Sequence, residues 1–278
     1  MANKIDYLVV APQPRTEEIA LHHDEARVRE ELGTPYIYMA SSLVPEADMH
    51  VNIRHVKNVP PDFKPYVEPH KHEVSQLYIF IGDLTYEVTL EGEGHAISGP
   101  AAVFIPAGMT HTIHPLGGSG YVAVITRAGK YGASAPSVRK ETKITGKLER
   151  FIASPEPAPE EVPYHNMRQA AEMLGPQYTY MSSFLVPEAD MAFTLRHVER
   201  VPPGFKSEDE PHKHDVSQLY AIIGKLNVAV ILDGGRYKVN GPAAVFIPAG
   251  IAHTAHPLSG SGYLAVVTRA GKLDLLAP

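Results

Sequence analysis

The sequence predicts an all-β protein made of two tandem jelly-roll β-barrels with short flanking helices. The first observation behind this prediction is an internal duplication, in which residues 33–130 lie over residues 175–272 without a gap and roughly three positions in five are identical. The second is the pattern within each copy, where short alternating, β-branched and aromatic segments are separated by Pro and Gly. Such spacing is typical of β-sandwiches and barrels.

In the first copy, the predicted strand segments are HVNIRHV, QLYIFIG, TYEVTL, AAVFIPAG and YVAVIT. A helical pattern precedes each copy and ends at a glycine, with Thr16 and Asn166 as the predicted N-caps and Gly33 and Gly175 at the ends. The stretch from Ala133 to about Glu161 has no sustained apolar period, so we interpret it as the connection between the copies, with an edge strand as an option. The predicted domains are therefore residues 1–142 and 143–278.

Composition narrows the classes of function. The formal charge is −6 and no basic stripe occurs, which argues against nucleic acid as a partner. No apolar stretch approaches the roughly 20 residues needed to cross a membrane, and MANKIDYLVVAPQP lacks the apolar core of a secretory signal, so we expect a cytoplasmic protein. The chain contains 15 histidines and no cysteine, so nitrogen and oxygen atoms must hold any metal.

Three histidines and one glutamine recur at the same spacing in both copies: His70, His72, Gln76 and His111, then His212, His214, Gln218 and His253. On a strand, residues i and i+2 share a face, so the two histidines of each HxH segment should project together, with the glutamine further along that face. The last histidine follows a Pro-x-Gly turn at the start of another strand. The pattern predicts one divalent transition metal per copy (Fe, Mn, Ni, Co or Zn) with coordination positions open to water or substrate. Exposed or hydrogen-bonded histidines are the alternative, which the matched repetition disfavours.

These motifs resemble those of the cupin superfamily. PHKHEVSQLYIFIG and PHKHDVSQLYAIIG are similar to its first motif, and GPAAVFIPAGMTH and GPAAVFIPAGIAH are similar to its second. The resemblance covers about 100 residues of each half and implies a bicupin. Two departures stand out: Gln76 and Gln218 replace the usual Glu ligand, and Gly-Pro replaces the usual Gly-Asp that opens the second motif. Three His with one Gln is nonetheless the ligand set of some cupins, including a bicupin isomerase of dipeptide-antibiotic biosynthesis and single-domain hydroxynitrile lyases.

The neutral glutamine bears on the expected chemistry. A Glu ligand would leave a divalent site at net +1, whereas Gln leaves it at +2, which strengthens the ion as a Lewis acid and disfavours a trivalent state. We therefore predict a metal-dependent isomerase, tautomerase or lyase that acts on a small anionic substrate. An iron(II) dioxygenase and a non-catalytic binding module are the alternatives, and a homo-oligomer is left open.

Other residues are candidates for contact with a substrate. Tyr78 and Tyr220 continue the face of the glutamine ligand and could act as acid/base groups, with core packing as the alternative. Arg54 and Arg196 could clamp a substrate carboxylate, with a surface ion pair as the alternative. Five histidines without a counterpart in the other copy are interpreted as solvated: His22, His23, His50, His95 and His165.

Overall fold

The computed structural model describes residues 5–16, 24–64, 67–130, 146–159 and 162–272. It confirms the all-β class with short flanking helices. The described residues divide into two compact units. The first-repeat unit comprises residues 13–42 and 48–155, and the second-repeat unit comprises residues 1–12, 43–47 and 156–278.

In chain order, the described strands are β1 (Val9–Val10), β2 (Gln13–Pro14), β3 (Pro35–Met39), β4 (His50–Val56), β5 (Gln76–Gly82), β6 (Thr85–Leu90), β7 (Glu93–Ser98), β8 (Ala101–Ile105), β9 (His111–Gly117), β10 (Gly120–Thr126), β11 (Ile152–Ala153), β12 (Glu156–Pro157), β13 (Gln177–Met181), β14 (Ala192–Val198), β15 (Gln218–Gly224), β16 (Asn227–Leu232), β17 (Gly235–Asn240), β18 (Ala243–Ile247), β19 (His253–Ser259) and β20 (Gly262–Thr268). The α-helices are α1 (Glu25–Leu32) and α2 (Met167–Leu174), and two 3-10 helices span Asp6–Leu8 and Leu148–Phe151.

Each unit contains a seven-stranded and a three-stranded sheet. In the first-repeat unit, the strand orders are β11-β8-β5-β10-β4-β3-β2 and β7-β6-β9, and in the second-repeat unit they are β1-β18-β15-β20-β14-β13-β12 and β17-β16-β19. Strand β5 lies between β8 and β10, with Gln76 and Tyr78 on one face and Leu77 and Ile79 on the other, and all four are buried. Burial on both faces explains why these strands are nearly continuous apolar runs.

The edge strands come from the segments that precede the repeats. Strand β1 pairs with β18 of the second-repeat unit, and β11 pairs with β8 of the first-repeat unit. Strands β11 and β12 therefore confirm the edge strand expected in the connection. The predicted domain boundary at residues 142 and 143 lies outside the described residues and stays a prediction.

The helix predictions were right at one N-cap and wrong at the other. Asn166 caps α2, since its side-chain oxygen accepts a hydrogen bond of 3.0 Å from the Gln169 amide. Helix α1 begins at Glu25 and not after Thr16, because its N-cap is Asp24, whose φ of 59° is left-handed. Residues 17–23 of the predicted helix lie outside the described residues. Among the residues described, no helix is both long and apolar enough to cross a membrane.

The two edge strands generate a prediction about local stability. Leu8, fully buried, leads into β1, so Leu8→Ala should destabilise the second-repeat unit by about 2–5 kcal/mol. Faster amide hydrogen exchange should follow in β18 and not in β8. Phe151→Ala is the matched variant before β11 and should show the reverse pattern. Equal effects of each variant on β8 and β18 would contradict the assignment of these segments.

Candidate metal centres

Backbone hydrogen bonds bring the distant histidine of each repeat opposite the HxH segment. The His111 amide donates to the His70 carbonyl at 2.8 Å, and the His70 amide donates back at 3.2 Å. His212 and His253 form the same pair, at 2.9 and 3.1 Å. Each distant histidine is the first residue of its strand, as predicted.

The Pro-x-Gly turn fixes the second histidine of each HxH segment. The Gly108 amide donates to the His72 carbonyl and the Gly250 amide donates to the His214 carbonyl, both at 2.8 Å. The φ angles of these glycines, 84° and 80°, lie in the region that favours glycine. The glycine of this motif therefore holds the HxH segment against the turn.

The HxH histidines do not lie on a continuous strand, contrary to the sequence prediction. Strand β5 begins only at Gln76, and His70 forms an isolated bridge in an irregular segment. The contacts with His111 and Gly108 replace a strand ladder and still bring the rings together, with 4.5 Å between the centroids of His70 and His111.

In each repeat, the three predicted histidines form a group that could hold a metal ion. One nitrogen from each of His70, His72 and His111 lies within 4.8 Å of the others, and the same holds for His212, His214 and His253. Five of these six histidines are buried and His72 is half-buried.

Backbone carbonyls orient the imidazoles. The Nδ1 atoms of His70 and His111 lie 2.8 and 3.1 Å from the carbonyl oxygens of Glu68 and Met109. A carbonyl can only accept a hydrogen bond, so Nδ1 must carry the proton and Nε2 of the neutral ring keeps its lone pair.

The second repeat has the same arrangement, and there burial keeps the rings neutral. Nδ1 of His212 donates to the main-chain carbonyl of Glu210 at 3.0 Å, and Nδ1 of His253 donates to the main-chain carbonyl of Ile251 at 2.9 Å. Burial lowers the pKa of His212 to about 4 and that of His253 to about 3. In the first repeat, burial lowers the pKa of His72 to about 4. Neutral imidazoles with inward-facing lone pairs are what a metal ion requires.

The glutamines supply the strongest sign that a cation fits. Both side-chain polar atoms of Gln76 are buried with no hydrogen-bond partner among the described residues, and so is Nε2 of His212. In the second repeat, Oε1 of Gln218 lies 2.9 Å from Nε2 of His253, while its amide nitrogen donates to Thr268. Because His253 uses its proton at Nδ1, two lone pairs face each other across this gap. A cation bound by both atoms would remove the repulsion, so these residues fit a metal.

A cavity of about 120 Å³ lies beside the second group. Its polar lining includes three metal-ligand candidates, two predicted substrate contacts and two residues not predicted to lie there: His212, His214, Gln218, Arg196, Tyr220, His165 and Asp209. The remaining lining is largely apolar. A small molecule in this cavity would be close to the candidate metal centre.

The structure places Arg196 and Tyr220 where a substrate could reach them. Arg196 is buried, and its guanidinium donates to the Gly175 carbonyl and, at 3.3 Å, to the Gln177 side chain. Each terminal nitrogen keeps a second N–H, and although burial lowers the pKa of Arg196 to about 10, the group stays charged at neutral pH. The ring of Tyr220 lies 6.0 Å from that of His253, and burial raises the pKa of its phenol.

The equivalent residues of the first repeat have different surroundings. The Tyr78 ring lies 6.3 Å from that of His111. Burial lowers the pKa of Arg54 to about 10, and the nearby charges of Arg15 and Glu25 act on it in opposite directions. The catalytic roles of these two arginines and two tyrosines stay predictions.

Sequence reasoning missed a carboxylate and a histidine at the second site. Nδ1 of His165 lies 3.6 Å from Oδ2 of Asp209, and the His165 ring lies 4.5 Å from that of His212. Burial would raise the pKa of Asp209, but the contact with His165 and the hydrogen bond from the Asn166 amide outweigh it and hold that pKa below its ordinary value. The sequence did contain a signal for this carboxylate, because position 209 is Asp whereas the equivalent position of the first copy is Val67.

Three of the histidines interpreted as solvated are not. His165 lines the cavity, His50 is 3% exposed, and the His95 side chain is 10% exposed and lies with Glu93 and Glu149 in a third group of potential metal ligands. Tertiary packing, which a single sequence does not show, covers them. His22 and His23 lie outside the described residues.

Comparison with known proteins gives a fold and no close relative. No protein-family model matches the chain, and no curated protein matches it. The oxalate decarboxylase of Lactobacillus farciminis, solved as a formate complex, aligns with a TM-score of 0.61 and 12% identity over 98% of this chain and 88% of its own. A mutant of the Bacillus subtilis oxalate decarboxylase aligns with a TM-score of 0.59 and 14% identity over 95% of this chain and 77% of its own. The chain has the fold of these two structures.

The two ligand sets predict a metal stoichiometry. Wild-type protein should bind close to two equivalents of a divalent ion, and both His70→Ala/His72→Ala and His212→Ala/His214→Ala should bind about one, because each removes two of three imidazoles from one group. Elemental analysis after dialysis measures the content.

The control is His55→Ala/His197→Ala, which removes two exposed histidines that stack on Tyr121 and Tyr263 and should keep two equivalents. Wild-type protein that binds no divalent ion would contradict the metal centres.

Proposed function

We propose that this chain is a metal-dependent bicupin enzyme that acts on a small anionic, oxygen-containing metabolite by Lewis-acid chemistry, as an isomerase, tautomerase or lyase. The observation that carries the proposal is the second ligand group, His212, His214, Gln218 and His253, beside a cavity that also contains the guanidinium of Arg196. In the first repeat, His70, His72, Gln76 and His111 would hold a second ion.

The donor set favours non-redox chemistry. A divalent ion held by three imidazoles and an amide oxygen keeps its full charge and would polarise a carbonyl or carboxylate oxygen. The ligand group contains no carboxylate to stabilise a higher oxidation state. The metal could be Fe, Mn, Ni, Co or Zn, since imidazole suits all of them in differing degree.

The protein's own groups would orient the substrate. The second N–H groups of Arg196 can accept a carboxylate in bidentate geometry, and the hydrogen bonds to Gly175 and Gln177 hold the guanidinium plane in place. Tyr220 keeps its phenol protonated at neutral pH, so it can donate a hydrogen bond to a developing negative charge. The remaining lining of the cavity is largely apolar, and a surrounding of low polarity strengthens these interactions.

The size of the cavity and the fold neighbours both favour a small carboxylate. A volume of about 120 Å³ suits a metabolite of a few carbon atoms. The neighbouring structures are of enzymes that act on oxalate, itself a small anion.

The deciding experiment combines metal analysis with two activity screens. Small keto, hydroxy and dicarboxylic acids are incubated with the loaded protein, products are followed by NMR, and oxygen uptake is recorded in parallel. Conversion without oxygen uptake supports the proposal. Oxygen consumed in proportion to substrate would instead support an iron(II) dioxygenase, and saturable binding without conversion would support a non-catalytic binding module.

A charged substitution tests whether the neutral Gln218 ligand matters for turnover. Gln218→Glu should keep its metal but turn over more slowly, because the carboxylate reduces the net charge of the centre from +2 to +1. Gln76→Glu is the matched change in the first repeat. Metal content and kcat are measured for both, and a rise in kcat would point to chemistry limited by metal oxidation.

The carboxylate clamp can be tested by geometry. Arg196→Lys keeps the charge and loses the planar fork, so KM should rise by roughly tenfold with metal content unchanged. Arg200→Lys, at an exposed position, is the control and should behave as wild type. Thermal unfolding of both variants separates lost binding from lost stability. An unchanged KM in Arg196→Lys would show that this arginine has a structural role.

A further inference from the structure

The cavity beside the second ligand group is bounded by three alanines on three separate elements. Ala158 follows β12, Ala170 lies in α2 and Ala255 lies in β19, and all three line the cavity. An alanine side chain ends at Cβ, so these positions leave space that a longer side chain would fill.

Backbone hydrogen bonds identify the first-repeat equivalent of Ala158. The Ala158 amide donates to the Gln177 carbonyl at 2.8 Å, and the Arg15 amide donates to the Pro35 carbonyl at 2.9 Å. Gln177 and Pro35 begin β13 and β3, which correspond in the duplication. Arg15 therefore holds the position of Ala158.

The other two alanines are also replaced by larger residues. The Ala170 amide donates to Asn166 in the first turn of α2, as the Val28 amide donates to Asp24 in α1. Ala255 lies opposite Val230, and Ile113 lies opposite Val88 in the matching strand pair. All three alanines of the cavity wall thus correspond to longer side chains, and Arg15, Val28 and Ile113 occupy their places.

The arginine is held in place by a buried partner. Arg15 is 5% exposed and Glu25 is 7% exposed, and the guanidinium lies 3.1 and 3.3 Å from the two carboxylate oxygens. Glu25 begins α1 as Met167 begins α2, and Met167 lines the cavity of the second repeat. Two cavity-wall positions of the second repeat therefore carry an ion pair in the first.

A buried ion pair of this kind resists rearrangement. Separating the partners would leave an uncompensated buried charge, which is strongly destabilising. A small molecule could not recover this cost by displacing Arg15 unless it supplied an equally good partner. The Arg15–Glu25 pair therefore occupies the first-repeat equivalent of the cavity permanently.

We propose that the second site, in the second repeat, admits the substrate. The first site holds its metal, but Arg15, Val28 and Ile113 fill the corresponding space beside it and exclude the substrate. The inference rests on the metal centres of the proposed function but not on the reaction. It assigns the duplicated sites different tasks through residues outside the ligand sets.

The test uses full-length protein with one metal site at a time. His70→Ala/His72→Ala leaves only the second site, and His212→Ala/His214→Ala leaves only the first. Each is loaded with Co²⁺ and titrated with acetohydroxamate, a small bidentate oxygen ligand, and the visible spectrum of the cobalt reports binding. We expect saturable binding at the second site and binding at least roughly tenfold weaker at the first.

Exchanging the wall residues should exchange the behaviour. In the protein that keeps the second site, Ala170→Val/Ala255→Ile should weaken acetohydroxamate binding by at least about tenfold without loss of cobalt. In the protein that keeps the first site, Arg15→Ala/Glu25→Met/Ile113→Ala should create binding. The changes at Arg15 and Glu25 are made together so that neither charge stays buried alone. Cobalt content checks that each variant is folded.

Equal or tighter binding at the first site would overturn the inference. Its failure is distinct from failure of the proposed function, because the titration measures access and not turnover. If the second site alone binds acetohydroxamate but no carboxylate is converted, the proposed reaction is wrong and the division between the sites stands.

Discussion

Both candidate metal centres depend on the hydrogen bonds between imidazole Nδ1 atoms and main-chain carbonyls. Because a carbonyl cannot donate, each of these bonds fixes one tautomer and leaves an Nε2 lone pair pointing into the centre. The reciprocal amide bonds between His70 and His111, and between His212 and His253, set the separation of the rings. The protein thus gathers lone pairs that repel each other, and it does so with backbone atoms that are costly to move.

Much of this centre could be predicted from sequence because its parts are local. The ligands lie in two short motifs, and each motif brings its own turn, such as the glycine at position 108 with its φ of 84°. The strand geometry assumed for His70 and His72 was wrong. The three histidines of each set nevertheless lie together, because hydrogen bonds to the facing turn position them where a strand ladder would have done. The start of α1 was missed because the left-handed conformation of Asp24 has no strong sequence signature.

The surroundings of the ligands could not be predicted in the same way. His165 and Asp209 are 44 positions apart in the chain and meet only when the segment before α2 packs against the loop before His212. Arg15 and Glu25 likewise form a buried pair that neither composition nor spacing predicts. Within the duplication, the ligands are identical in both copies, whereas these neighbours differ. The chemistry of ligation is therefore encoded twice, and the environment of each site is encoded separately.

Charge is the reason why we propose an anionic substrate for the second site. Its four candidate ligands are neutral, so a bound divalent ion would keep a charge of +2, and Arg196 adds one more positive charge at the cavity wall. Asp209 supplies the one carboxylate among the described lining residues, and it is already engaged by His165 and the Asn166 amide. Burial in an apolar surrounding makes the remaining positive charge costly unless an anion enters. A small carboxylate would satisfy the metal and Arg196 together, whereas a neutral molecule would leave one of them unpaired.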